Sequence, residues 1–137
     1  MFLRPLNTPM RDWQGQRVWL IGASTGIGEA TARALHTRGA QVIVSARSAA
    51  PLQAFVDKHP SAQALPLDVT DAVAVAEAAA GLASAGKLDL VMYCAGHYRE
   101  MRADAFDLAE VQKHWRVNFE GALYVLTDAL SGKLLKI

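Results

Sequence analysis

The sequence predicts an α/β protein built on a doubly wound parallel sheet, and three observations carry that expectation. Short apolar runs alternate with segments of helical periodicity. No two-residue hairpin signal joins consecutive apolar runs, so neighbouring strands must be connected by crossovers and pair in parallel. The runs themselves, such as "QVIVSA", are continuously apolar, as in strands covered on both faces. At 137 residues, 52% hydrophobic and 20% charged, the chain suits one globular domain.

The elements follow in order. Residues 1–15 read as an irregular lead-in with two prolines and a Gln14-Gly15 turn. "RVWLIGA" is a short buried strand, apolar and partly β-branched. From Ile27 the spacing turns helical, with Ile27, Ala30, Thr31, Ala34 and Leu35 on one face, Arg38 in the last turn and Gly39 as the stop. "QVIVSA" is the second strand. Ser48 is placed to cap a helix carrying Pro51 in its first turn and Leu52, Phe55 and Val56 inward; Pro60 ends it. "ALPLDV" is a third, short strand, and Asp71 to Ser84 an alanine-rich helix closed near Gly86. "LDLVMYCAG" is the fourth strand. After a loop from His97 to Ala105, Asp107 with Glu110 three residues on has the form of a capping box. It opens a long helical stretch with Val111, Trp115, Ala122 and Val125 inward. With right-handed crossovers, the result is a Rossmann-like, doubly wound parallel sheet of about four strands, helices on both faces. It occupies residues 16–130 and leaves 131–137 as a tail.

Between the first strand and the first helix lies "LIGASTGIGEA". A helix N-terminus presents unpaired N–H groups and the positive end of its dipole, so a diphosphate is stabilised there when no side chain blocks its approach. Gly22 permits a tight exit from the strand, Gly26 lets backbone approach a ligand, and Gly28 lets the helix pack on the sheet. Ser24 and Thr25 add hydroxyl and amide donors. The spacing is G-x-x-x-G-x-G rather than the general G-x-G-x-x-G. At the end of the second strand, where an acid normally takes the ribose hydroxyls, this chain has Ala46-Arg47-Ser48. An acid would repel a 2′-phosphate and a guanidinium bonds it in two places, so the expected coenzyme is NADP, with NAD the lesser alternative.

These residues resemble the short-chain dehydrogenase/reductase family. "GASTGIG" is similar to its cofactor motif, and the resemblance assigns Ile27 to that motif as well. "LPLDVTD" resembles the segment whose aspartate and following valine, here Asp68 and Val69, border the adenine. "LDLVMYCAG" resembles the strand ending in N-N-A-G, with Tyr93 and Cys94 in place of the asparagines and Ala95 and Gly96 retained beside the ribose. "VNFEG" resembles the helix bearing the family's tetrad asparagine, which maps onto Asn118. The similarity runs in order from about Arg17 to Leu130 and implies that the strands lie in the order 3-2-1-4, in a carbonyl/alcohol oxidoreductase with a small-molecule substrate.

The family's proton-transfer pair, a tyrosine with a lysine four residues later, is not matched. Tyr93, Tyr98 and Tyr124 are followed at that distance by His97, Arg102 and Asp128. Ser131 is no match for the catalytic serine, and the lysines of "SGKLLKI" interrupt the apolar run that a central fifth strand needs. The expectation is therefore a cofactor-binding portion, inactive alone, whose tail is truncated, aberrant or a fragment boundary. A non-catalytic nucleotide-binding or assembly protein and a gene remnant are the alternatives.

The net charge of +1 gives no electrostatic case for nucleic acid. No apolar run reaches membrane-spanning length, no signal peptide is read at the N-terminus, and one cysteine leaves no internal disulfide, so the expected location is cytoplasmic. The four histidines share no metal-ligand spacing, and no metal is expected. The three tryptophans are expected as core or edge-of-core anchors. The fourth strand, left at an edge, and an apolar stripe on the last helix are the expected routes to pairing or homo-oligomers.

Overall fold

The computed structural model describes residues 10–131 together with Leu134 and Leu135. The expectations for residues 1–9, 132, 133, 136 and 137 lie outside the described residues. At the centre of the sheet is β1 (Arg17–Ile21), flanked by β2 (Gln41–Ser45) and β4 (Leu90–Tyr93), with β3 (Gln63–Ala64) outside β2. The order is β3-β2-β1-β4 and every pair is parallel, with Trp19 opposite Ile43 on one side and Val91 on the other. The predicted architecture is the observed one.

Residue alternation along β1 explains the two layers. Val18 and Leu20 point into a core with Val42, Val44, Ala32, Leu35, Leu52 and Phe55, beneath α1 (Gly26–Thr37) and α2 (Ala49–Lys58). Trp19 and Ile21 point the opposite way, toward Ile43, Val75, Ala79, Leu82, Val125 and Ala129, beneath α3 (Ala72–Ser84) and α5 (Gly121–Leu130). Trp19 is fully buried, and its indole N–H donates to Ser45 Oγ at 2.9 Å, so the one polar atom of the largest core side chain is satisfied. Trp13 packs, partly buried, against the α1–α2 core.

Three local expectations are corrected. The third strand is only two residues long and stops short of Pro66, which is tolerated at this sheet edge; Leu65 and Leu67 on either side of it still donate to Val44 and Ala46 carbonyls at 2.9 Å. Helix α1 buries Gly28, Ala32 and Leu35 and leaves Ile27, Ala30 and Ala34 exposed. Its inner edge is set by Gly28: a Cβ there would sit 2.2 Å from the Gly22 carbonyl oxygen, so Gly28 takes the contact with the strand and Ile27 turns outward, 78% exposed.

The long final helix is the third correction. Helix α4 (Leu108–Trp115) is capped by the Asp107 carboxylate, which accepts from Ala109 N at 2.9 Å and Glu110 N at 3.3 Å. The Glu110 side chain does not close a capping box; it turns to His97 and Lys113. A π-helical segment, Arg116–Glu120, then separates α4 from α5. A π turn takes one extra residue, so a face read across it at 3.6 spacing lands wrongly. Val125 is buried as expected, but Val111 and Trp115 are exposed. They join Leu108, Phe119, Leu123, Leu126 and Leu130 in an outward apolar stripe, with the Trp115 and Phe119 rings 4.4 Å apart.

Among the described residues β4 pairs only with β1. Just before it, Leu88 N donates to Leu134 O at 2.7 Å, and Leu88 forms an isolated parallel bridge with Leu135. Leu134 is 1% exposed and belongs to the α3–α5 core. This part of the expected tail therefore packs on the side of the sheet where a fifth parallel strand would lie.

Candidate functional site

The carboxyl ends of β1, β2 and β4 open into a cleft of about 320 Å³. In open parallel sheets this is where ligands bind, at the point where connections leave for opposite faces. Here β1 leads to α1 on one face and β4 toward α4 and α5 on the other. The cleft is lined by Gly22, Ser24, Thr25, Ile27, Gly28, Arg47, Val69, Ala95 and Gly96, all of them sequence-predicted, together with Cys94 and His97.

Its floor is held by close backbone approaches. Gly22 has φ +87°, and a Cβ on it would lie 2.3 Å from Ala95 N, so any side chain would separate the end of β1 from the end of β4. Gly22 N and Ala23 N both donate to Ser45 O, at 2.7 and 3.1 Å, which joins this turn to β2. Cys94 N donates to Ile21 O at 2.7 Å and joins it to β4.

Thr25, the residue before α1, makes no side-chain cap, nor does Ser48 before α2, whereas Asp71 and Asp107 cap α3 and α4. Among α1 to α4, the two helices without a side-chain cap are those that start at this cleft. Their first-turn N–H groups therefore keep their capacity to bind an anion. Arg47 lies at the rim, exposed, and makes no ion pair among the described residues.

Three predicted residues do not line the cleft itself. Gly26 does not line the cleft, and a Cβ on it meets nothing within 4 Å. Asp68 turns its carboxylate to its own loop, accepting from Thr70 N at 2.9 Å and Thr70 Oγ1 at 2.8 Å; it lies beside Arg47 in a neighbouring groove. Asn118 sits in the π-helical segment with its side chain bound to one backbone unit: Oδ1 accepts from His97 N at 2.7 Å and Nδ2 donates to His97 O at 2.9 Å. It thereby ties the loop after β4 to the last helix.

Tyr93 makes a second tie. Its hydroxyl donates to Val117 O, next to Asn118. Burial, and then the Asp68 carboxylate, push its pKa up to about 12, so the phenol stays neutral and donates. Burial also raises the Cys94 thiol, which makes it a weak nucleophile at neutral pH.

One grouping was not legible from spacing. His97 Nε2 lies 2.8 Å from Glu110 Oε2, Lys113 Nζ lies 2.6 Å from Oε1, and Arg99 reaches Oε1 at 3.3 Å. The Lys113 hydrogen bond first, then that of His97, hold the Glu110 carboxyl down to about 2. His114, one turn beyond Glu110, packs its ring against His97 with centroids 4.8 Å apart.

A parallel sheet with a glycine-lined cleft between uncapped helix N-termini defines a nucleotide-binding α/β domain. Comparison with known proteins is more specific. The family model for short chain dehydrogenase matches residues 16–135, and the chain belongs to that family. It is 32% identical over 128 residues to a 2-keto-3-deoxy-L-fuconate dehydrogenase of Xanthomonas campestris pv. campestris, covering 93% of this chain and 42% of that protein. An uncharacterized oxidoreductase of Staphylococcus haemolyticus is 30% identical over 124 residues, covering 88% and 54%. Among solved structures, a short-chain dehydrogenase from Streptomyces avermitilis superposes with a TM-score of 0.80 at 28% identity, over 85% of this chain and 44% of that one. A short-chain type dehydrogenase/reductase from Mycobacterium ulcerans gives 0.79 at 25% identity, over 85% and 46%. The chain thus spans about half the length of the relatives it matches. Family membership implies a nicotinamide dinucleotide coenzyme in general.

Proposed function

We propose that this chain is the coenzyme-binding portion of an NADP-dependent carbonyl/alcohol oxidoreductase. The observation that carries the reading is the cleft at the β1–α1 turn, closed to side chains by Gly22 and Gly28 and rimmed by the exposed Arg47. The residues fit the group. First-turn amides of α1, with Ser24 and Thr25, would hold the diphosphate, and Ile27 would cover it. Arg47 and the start of α2 would take the 2′-phosphate. Asp68 and Val69 would border the adenine, and Ala95 and Gly96 the adjoining ribose. When bound, the coenzyme would supply the hydride.

Asn118 is the one tetrad residue this chain offers, and its role here is to fix the His97 backbone at the cleft wall. The chain contains no Tyr-x-x-x-Lys pair, so we expect binding without turnover from these 137 residues alone. A carbonyl or alcohol substrate, a cytoplasmic location and self-association through the stripe on α4 and α5 belong to the same reading. No described helix is long and apolar enough to cross a membrane.

The test is fluorescence titration with NADPH and NADH. Saturable NADPH binding is expected, and Arg47→Asp should weaken NADPH at least tenfold while leaving NADH nearly unchanged. Equal weakening of both would remove the NADP assignment. A second reading, a non-catalytic nucleotide-binding or assembly protein, is favoured by the exposed apolar stripe from Leu108 to Leu130. It predicts the same binding, with the stripe docking onto a full-length relative in place of a second copy of this chain.

A further inference from the structure

At the wall of the coenzyme cleft, which His97 also lines, we propose that His97, Glu110 and His114 form a binding site for a borderline divalent metal ion of the zinc type. The three side chains each offer one ligand atom, and these atoms lie within 4.8 Å of one another. Around a tetrahedral zinc with bonds of about 2.0–2.2 Å, ligand atoms stand about 3.3 Å apart. A small inward movement of the His97 loop and the two rings on α4 closes the set.

Each ligand is already oriented. His114 Nδ1 donates to the Glu110 carbonyl oxygen at 2.7 Å, which puts the free lone pair on Nε2. That lone pair now accepts the Arg99 N–H at 3.0 Å, so the ring is in the ligating tautomer and a metal must displace this one main-chain bond. The Glu110 side chain is only 5% exposed. Its two oxygens have divided partners. Lys113 and Arg99 both sit on Oε1, and His97 Nε2 alone sits on Oε2. A metal on Oε2 therefore replaces one imidazole proton, while Lys113 keeps Oε1 as an outer-shell partner. Arg99 and Lys113 are 63% and 60% exposed and swing into solvent freely.

The donor set selects the ion. Two imidazole nitrogens and one carboxylate suit zinc, cobalt or nickel, and do not suit magnesium or calcium, which take oxygen ligands. The other histidine pair, His36 and His59, has ring centroids 5.2 Å apart but brings no carboxylate, and both rings bond main-chain carbonyls of Pro60 and Phe55. It serves as an internal control. No metal is expected from the sequence, because His36, His59, His97 and His114 share no ligand spacing.

The experiment is calorimetric titration of the 137-residue chain with Zn²⁺, repeated with Co²⁺ to read its visible absorption. One saturable equivalent is expected, undisturbed by excess Mg²⁺. His97→Ala and His114→Ala should each weaken it at least tenfold, and a His36→Ala/His59→Ala double variant should leave it intact. Arg99→Ala, an exposed change that spares the fold, should tighten binding severalfold by removing a competing cation. Circular dichroism confirms that each variant is folded. Absence of a saturable equivalent in the wild-type chain, loss in the His36/His59 variant, or unchanged or weaker binding in Arg99→Ala would each overturn the site.

Discussion

Replacing Gly28 by alanine tests the geometry of the cleft at its tightest point. The added Cβ would lie 2.2 Å from the Gly22 carbonyl oxygen, 2.9 Å from its carbon and 3.0 Å from Ala23 Cα. All three neighbours are backbone, so no side chain can swing aside. A tolerable contact is about 3.2 Å, and α1 must therefore retreat from β1 by about 1 Å, with an overpacking cost of about 1–3 kcal/mol. At this chain length that is a fall in Tm of roughly 3–10 °C. The same displacement moves the first-turn amides of α1 by about 1 Å. A charge-assisted hydrogen bond is worth about 1.5–3 kcal/mol, so losing two of them weakens coenzyme binding by about 100-fold or more. Differential scanning fluorimetry gives the first quantity and NADPH titration the second. A Gly28→Ala protein with unchanged Tm and unchanged affinity would refute the packing of α1 on β1.

Three further outcomes follow from the geometry. Tyr93 has its pKa raised in the fold, so its contribution to stability is complete below about pH 10 and is lost as pH rises toward about 12. Tyr93→Phe should abolish that alkaline component in pH-dependent unfolding and lower stability at neutral pH by about 1–3 kcal/mol, because the Val117 carbonyl loses its donor. Glu110 has the opposite sign: its lowered pKa gives stability that is present above the ordinary carboxylate range and is lost as pH falls toward about 2. Glu110→Gln should flatten the acid side of the unfolding profile, and an unaltered profile would contradict the cluster. Finally, the stripe through Trp115, Phe119, Leu123 and Leu126 should make the chain self-associate. Sedimentation at rising concentration should show this, and Leu126→Asp should reduce it with no loss of coenzyme binding.

The sheet was legible because its signal is redundant. Continuous apolar strands, helical spacing between them and the absence of hairpin turns all require parallel strands joined by crossovers, and no single residue decides it; the strand order came with the family resemblance. The cleft was legible for a related reason: Gly22, Gly28 and Arg47 act through backbone space and charge at fixed places in that topology. What failed depended on facts that spacing does not contain. Periodicity identifies an apolar face but not the surface it meets, which is why Val111 and Trp115 read as inward and are exposed. The π-helical turn at Arg116–Glu120 shifts the register by a residue and leaves no mark in composition. Glu110 has the position of a capping partner, but the cap is made by Asp107 alone, because His97 and Lys113 offer its carboxylate stronger partners. His97 reaches that carboxylate from a loop, so the cluster exists only in three dimensions.

The most direct test of the central claim is a crystal structure of this chain grown with NADPH. The account predicts density for the diphosphate against the amides at the start of α1, between Gly22 and Gly28, with the 2′-phosphate on Arg47. A coenzyme bound elsewhere, or a turn at full occupancy by a protein side chain with saturating NADPH present, would contradict it.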